Sequence, residues 1–292
     1  MTKFSIKTPV EFSYEYSLAF LQRSSKEILH SVQERVVRKL VKNGGEYILF
    51  EISEGKDCLD IEIITTNSPG TREFVENYVS EWFDLDTDLT PFYKLARKDD
   101  VLKSIVKKFH GYRIMGQPDL FESLVWAVLG QQINVPFAYS IKQRFVEKYG
   151  ERYEHNGRTY YLFPTPERVA VINPEELTPL QFSRQKSNYT IGIARAFVEK
   201  NVSRQMLHGR PLPEAKEELM KLKGIGNWTA NYALMRTFRY PDAFPLEDVA
   251  LHKALRIQMN MRKKPTLDRV RKVFKRYKGW EAYATLYLWR SL

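Results

Sequence analysis

Gly224-Ile225-Gly226 constrains this chain more than any other stretch. A helical run with apolar Leu219, Met220 and Leu222 leads into it, and a second helical run starts at once from Asn227. Glycines permit a turn too tight for other residues and let backbone N–H groups approach a ligand closely. The N-terminus of the second helix adds a site that favours negative charge. A short loop then ends at Glu247-Asp248. The pattern therefore predicts an antiparallel helix pair suited to holding a phosphate, with one carboxylate just beyond.

The charge distribution agrees. Residues 1–90 hold 10 Lys+Arg and 16 Asp+Glu, a balance of −6. The whole chain carries 46 and 35, so 91–292 holds 36 and 19, a balance of +17. The positive field belongs to the part with the hairpin, as expected of a nucleic-acid binder, although a basic inert surface is the alternative. Cys58 stands alone, which leaves no disulfide framework and no thiolate cluster within the chain. No apolar run approaches a membrane span, and the start MTKFSIKTPVEF lacks a secretory h-region. The expected setting is cytoplasmic, reducing and close to the nucleoid.

The expected fold class is α+β: a small N-terminal α/β domain with an antiparallel sheet over 1–90, then an all-helical domain over 91–292. Strands are expected at Val36–Lys42, Tyr47–Ser53 and around Leu59, Ile61 and Ile63, with Asn43-Gly44-Gly45 as a hairpin turn. Phe74, Tyr78 and Trp82 mark a helix, and Tyr16–Gln22 a shorter one. After Pro118-Asp119, Phe121, Leu124, Val125, Val128 and Leu129 form one apolar stripe. Further helices are expected at 137–148, 174–178, 184–199 and from Thr266 onward.

Several motifs occur in an order that resembles the helix-hairpin-helix DNA glycosylase superfamily, and within it 3-methyladenine DNA glycosylase II. They are the hairpin with its acid, Leu129-Gly130-Gln131-Gln132-Ile133-Asn134-Val135, Phe163-Pro164-Thr165-Pro166, Ser183-Arg184-Gln185-Lys186 and Tyr287-Leu288-Trp289. The resemblance covers 118–292 well and 1–117 weakly. It implies a base-excision enzyme that flips a damaged purine out of double-stranded DNA, acting as a monomer without a membrane. The substrates it suggests are 3-methyladenine and 7-methylguanine, with hypoxanthine as a further candidate.

By that resemblance Asp248 is the catalytic acid, stabilising positive charge on the sugar or activating water. Its structural alternative is to cap the helix at Val249, and the two roles are compatible. Glu247 is the weaker candidate. Relatives that also cleave the strand carry a lysine where this chain has Trp228, so water is the expected nucleophile. Lys223, inside the hairpin, is the residue that keeps a lyase reading open. Trp228, Tyr232, Trp289 and Phe20 match base-pocket aromatics, whose faces attract cationic alkylated bases; the alternative is plain core packing. Gln132 stands where relatives insert an apolar wedge, while Gln131 either touches DNA or ties loops together. Gly224, Gly226 and Trp228 would offer N–H groups to phosphate. Lys263, Lys264, Arg271, Lys272 and Lys275 are available for more such contacts. No cofactor is expected beyond a monovalent cation on the carbonyls of Met220, Leu222 and Ile225. The competing readings are a bifunctional oxidised-base glycosylase with lyase activity and a non-catalytic module that only binds damaged DNA.

Overall fold

The computed structural model describes residues 2–66 and 68–292. Its sheet turns at Gly44 and Gly45, whose φ angles of 56° and 91° place both in the left-handed region. That is the primed hairpin geometry whose twist matches the strands it joins. Around it lie β1 (Thr2–Lys7), α1 (Tyr14–Leu21), β2 (His30–Gln33), β3 (Val36–Asn43), β4 (Glu46–Glu54), β5 (Cys58–Ile63) and α2 (Thr71–Phe83). The strands pair antiparallel in the order β1-β5-β4-β3-β2. Strands β3, β4 and β5 and helix α2 agree with the sequence pattern to within a residue or two, and β1 and β2 are additions to it.

Period two decides which side chains enter the core. Val37 and Val41 on β3 and Ile48, Phe50 and Ile52 on β4 face α1 and α2 and are buried with Tyr14, Leu18, Val75 and Val79. The opposite face is covered by an element the helical pattern does not suggest. A two-stranded hairpin, β6 (Arg152–His155) with β7 (Arg158–Tyr161), follows α3 (Thr90–Ala96), α4 (Lys103–Lys108), α5 (Leu120–Gly130) and α6 (Val135–Tyr149). Its Tyr153 stacks on Tyr47 at 5.1 Å, and the neighbouring Glu151 accepts bonds from Lys42 (2.5 Å) and Tyr47 (2.6 Å). The first sheet is thereby pinned to the second half of the chain.

Past the hairpin the fold is helical. It runs through α7 (Pro166–Ala170), a 3₁₀ turn at Pro174–Leu180, α8 (Arg184–Val198), α9 (Arg204–Leu207) and α10 (Leu212–Met220). Then come α11 (Asn227–Phe238), α12 (Val249–Gln258), α13 (Leu267–Phe274) and α14 (Glu281–Arg290). Helix α5 is apolar almost all round and accordingly sits in the middle, packed by α6, α8 and α11. A second helical core joins α3 and α4 to α12, α13 and α14. No helix among the described residues is long and apolar enough to cross a membrane.

A buried ion cluster lies where the sheet domain meets α5 and α6. Lys142 Nζ stands 3.0 Å from Glu27 and 3.1 Å from Glu122, and all three side chains are nearly excluded from water. Burial alone would raise the Glu27 carboxyl, but Lys142, with His30 and the Leu29 N–H, outweighs it and holds the group at about 2. A carboxyl held below its unfolded value stabilises the fold above that value and loses the contribution as pH falls. Glu27→Gln is therefore expected to be less stable at pH 7 by up to about 3 kcal/mol. Its deficit against wild type should shrink as pH falls from roughly 4.5 to 2. Urea unfolding across that range measures it; a deficit independent of pH would contradict the assignment.

Candidate active site

The hairpin between α10 and α11 is built by one glycine that must be glycine. Gly224 has φ +94°, and a Cβ there would lie 2.3 Å from the Tyr189 ring of α8. The turn closes with Ile225 N–H on the Leu222 carbonyl at 3.1 Å. Gly226 then opens α11 with no side-chain cap, so the first N–H groups of that helix are left facing outward.

Gln131 follows α5 and reaches across to this hairpin. Its Nε2 donates to the Gly224 carbonyl and to Thr229 Oγ1, both at 3.0 Å. The amide is thus engaged as a tie between two loops, the structural alternative raised by the sequence. Gln132 beside it is exposed with φ +59°, which pushes its side chain out of the turn before α6.

Asp248 occupies the N-cap of α12. Its Oδ1 accepts the Leu251 N–H at 2.7 Å and Trp289 Nε1 at 2.8 Å, and Oδ2 accepts Trp228 Nε1 at 3.0 Å. The capping reading of this residue holds, and two indoles from α11 and α14 orient the carboxylate that the cap fixes. Glu247, by contrast, is exposed and accepts from Asn227 Nδ2 at 3.0 and 2.9 Å. Lys223 is exposed on the hairpin.

Four residues apart on α11, Trp228 stacks on Tyr232 with centroids 5.3 Å apart and planes 20° apart. Trp289 packs against the same ring at 6.3 Å. The third expected aromatic thus joins the first two. Phe20 reaches the cluster from α1 through arginine: Arg236, four residues beyond Tyr232, has its Cζ 5.4 Å from the Tyr232 ring centroid and 4.8 Å from that of Phe20. The sheet domain therefore contributes a side chain to this cluster.

Four contributors lie outside the sequence-derived set. Trp126 on α5 donates to the Tyr232 hydroxyl at 3.1 Å and packs on Tyr139 of α6 at 4.7 Å. Arg23 follows α1; its Nε donates to Tyr139 at 2.6 Å and its Cζ lies 3.9 Å from the Phe20 centroid. Arg236 was within reach of sequence reasoning, since Trp228, Tyr232 and Arg236 form an i, i+4, i+8 stripe. Burial alone would raise the Tyr232 phenol, but Arg236 and Arg23 outweigh it and the net shift is downward.

Residues 125–279 match the HhH-GPD superfamily of base excision DNA repair proteins. The chain belongs to that superfamily. Residues 16–124 of this HhH-GPD protein match the N-terminal domain of 8-oxoguanine DNA glycosylase. A DNA-3-methyladenine glycosylase of Bacillus subtilis (strain 168) is 41% identical over 292 residues, covering 98% of this chain and 96% of its own. The 3-methyladenine DNA-glycosylase from Archaeoglobus fulgidus superposes with a TM-score of 0.84 at 22% identity, over 98% of this chain and 97% of the other, a likeness of fold. The Schizosaccharomyces pombe 3-methyladenine DNA glycosylase in complex with abasic DNA gives 0.60 at 26% identity, over 69% and 96%.

Proposed function

We propose that this HhH-GPD protein is a monofunctional DNA glycosylase that flips alkylated purines out of double-stranded DNA and hydrolyses their N-glycosidic bond. The observation that carries the reading is Asp248 held by three N–H donors, two of them from indoles that pack on Tyr232. Loss of the base builds positive charge on the deoxyribose, and a fixed carboxylate in a water-poor site stabilises it without reorganising. The same oxygen can orient or deprotonate the incoming water. The names of the Bacillus and fission-yeast relatives support alkylated bases as the substrate class.

Trp228, Tyr232, Trp289 and Phe20 would line the base pocket, with 3-methyladenine, 7-methylguanine and hypoxanthine as candidates. The N–H groups of Gly224, Gly226 and Trp228 would hold the phosphate, and exposed Gln132 would fill the gap left in the duplex. Exposed Lys263, Lys264, Arg271, Lys272 and Lys275 would add phosphate contacts. Acid, pocket and hairpin come from one chain, in keeping with a monomer.

Among the described residues no cluster of His, Cys, Asp or Glu has the makings of a metal site. The carbonyls of Met220, Leu222 and Ile225 are a different donor set, neutral hard oxygens that suit a monovalent cation. The Ile225 N–H occupies one lone pair of the Leu222 carbonyl and leaves the other. A cation held there would supply positive charge to the gripped phosphate.

The indole of Trp228 faces Asp248 where a strand-cleaving enzyme would present an amine. Borohydride added during turnover is expected to trap no protein–DNA adduct, and the product strand should break only after alkali. A reduced covalent adduct, whether through Lys223 or another lysine, would overturn the monofunctional reading.

A further inference from the structure

We infer that the groove between α3 and α4 is a separate DNA contact, which holds backbone phosphates of the duplex several base pairs from the lesion. The inference rests on the proposed seating of damaged DNA at Asp248. Arg97, Lys103, Ser104, Val106, Lys107 and His110 line an open groove of about 560 Å³. Val106 is buried at its floor, and the other five are exposed. No carboxylate lines the groove. Asp100 stands 3.7 Å from Lys103 with both side chains well exposed, an arrangement that neutralises little. Among the described residues the side chains of Arg97 and Lys107 have no hydrogen-bond or ion-pair partner. The groove is therefore cationic, polar at its rim and open to a polyanion.

Its side chains are placed by the fold. Buried Tyr93 carries the Arg97 guanidinium, with Cζ 5.7 Å from its ring centroid, and the His110 ring at 4.6 Å. The Tyr93 hydroxyl accepts the Gly111 N–H at 2.7 Å and shares a hydrogen bond with Tyr287 of α14. Lys103 and Lys107 lie one turn apart on α4, where such neighbours stand about 5–6 Å from each other. An arginine fork and two ammonium groups thus face one groove, each free to meet a phosphate oxygen.

Continuity with the candidate site selects DNA over an acidic protein segment. Trp289 donates to Asp248, and the next residue, exposed Arg290, has its Cζ 5.0 Å from the Phe109 centroid. Lys108 Nζ lies 5.1 Å from the same ring, and Lys107 and His110 flank that pair in the chain. A row of cations thus leads from the C-terminal end of α14 to the groove, and a duplex held at Asp248 is the polyanion already at its start. Trp289 and Tyr287, two residues apart, leave nearly opposite sides of α14. At least a helix diameter, about 10–12 Å, therefore separates the acid from the groove. At about 3.4 Å per step of a strand, that distance is roughly three base pairs.

The test is a binding titration of wild type and the double variant Lys103→Gln, Lys107→Gln across a range of salt. The probes are two duplexes with a central abasic site, one with roughly fifteen base pairs on each side and one with roughly two. On the long duplex the variant is expected to bind about tenfold more weakly or worse, with a salt slope shallower by about two, close to 0.9 for each lost contact. On the short duplex the two proteins should bind alike. Both lysines are exposed, so equal melting temperatures will show that the fold is kept. Wild-type affinity and slope for the variant on the long duplex would overturn the inference and leave the groove to an acidic protein segment. An equal loss on both duplexes would overturn it too, because the lysines would then act at the lesion or through the general field. The readout is binding, so a protein that grips the long duplex through these lysines and frees no base loses the glycosylase reading and keeps this contact. A wild type that binds neither duplex overturns both.

Discussion

Asp248→Asn is expected to lower base release at least about a hundredfold while the protein stays folded and DNA-bound. The hydrogen bonds explain why the effects separate. Leu251 N–H and Trp289 Nε1 both donate to Oδ1, so an asparagine carbonyl placed there keeps the helix cap and one indole. Asparagine caps helices about as well as aspartate. Oδ2 would become an NH₂ group facing Trp228 Nε1, donor against donor, and the negative charge would be gone. Single-turnover rates beside a binding titration check the prediction. A variant that releases base at half the wild-type rate would leave Asp248 as a cap alone.

Gly224→Ala is expected to cost about 2–4 kcal/mol of stability and most of the DNA affinity together. The added Cβ meets the Tyr189 ring at 2.3 Å in a backbone conformation that already disfavours a side chain. Relief requires the hairpin to shift, which strains the Gln131 bridge to the Gly224 carbonyl and Thr229. The N–H groups at the start of α11 move with it. Gly226→Ala is the control, because it has open space at the Cβ position and φ of −92°. It should leave the melting temperature nearly unchanged, where Gly224→Ala lowers it by about 5–10 °C. Equal losses at the two glycines would contradict this account of the hairpin.

Much of this arrangement is local in sequence and therefore legible there. The hairpin glycines, Asp248 at the head of a helix and the Trp228–Tyr232 spacing each lie within a few residues. The three central strands show because their alternation places apolar residues on one buried face. Asn156-Gly157 carries the same turn signal as Asn43-Gly44, with φ angles of 48° and 71°. Its flanks RYEH and RTYY lack apolar alternation, so the helical spacing around them dominates. Strands β1 and β2 are short, and both lie at the edges of their sheet.

The pocket floor is of another kind. Arg23 and its partner Tyr139 are 116 residues apart, and Lys142 finds Glu27 across 115. An arginine that pairs with aromatics across two domains leaves no spacing to read, and in sequence Arg23 is one surface cation among many. Phe20 is an instructive middle case. Its resemblance to a pocket aromatic is weak in sequence, yet two guanidiniums lie on its ring and one of them, Arg236, ties it to Tyr232.

Asp248 and the aromatic cluster beside it are expected to sever the bond between an alkylated purine and its sugar. The direct measurement is chromatography of the free bases released from methylated duplex DNA by the wild-type protein. Free methylpurine, an abasic site in an otherwise unbroken strand, and no comparable release by Asp248→Asn are expected. DNA that is bound, with no free base above the spontaneous rate, would contradict it and leave a protein that recognises damage without removing it.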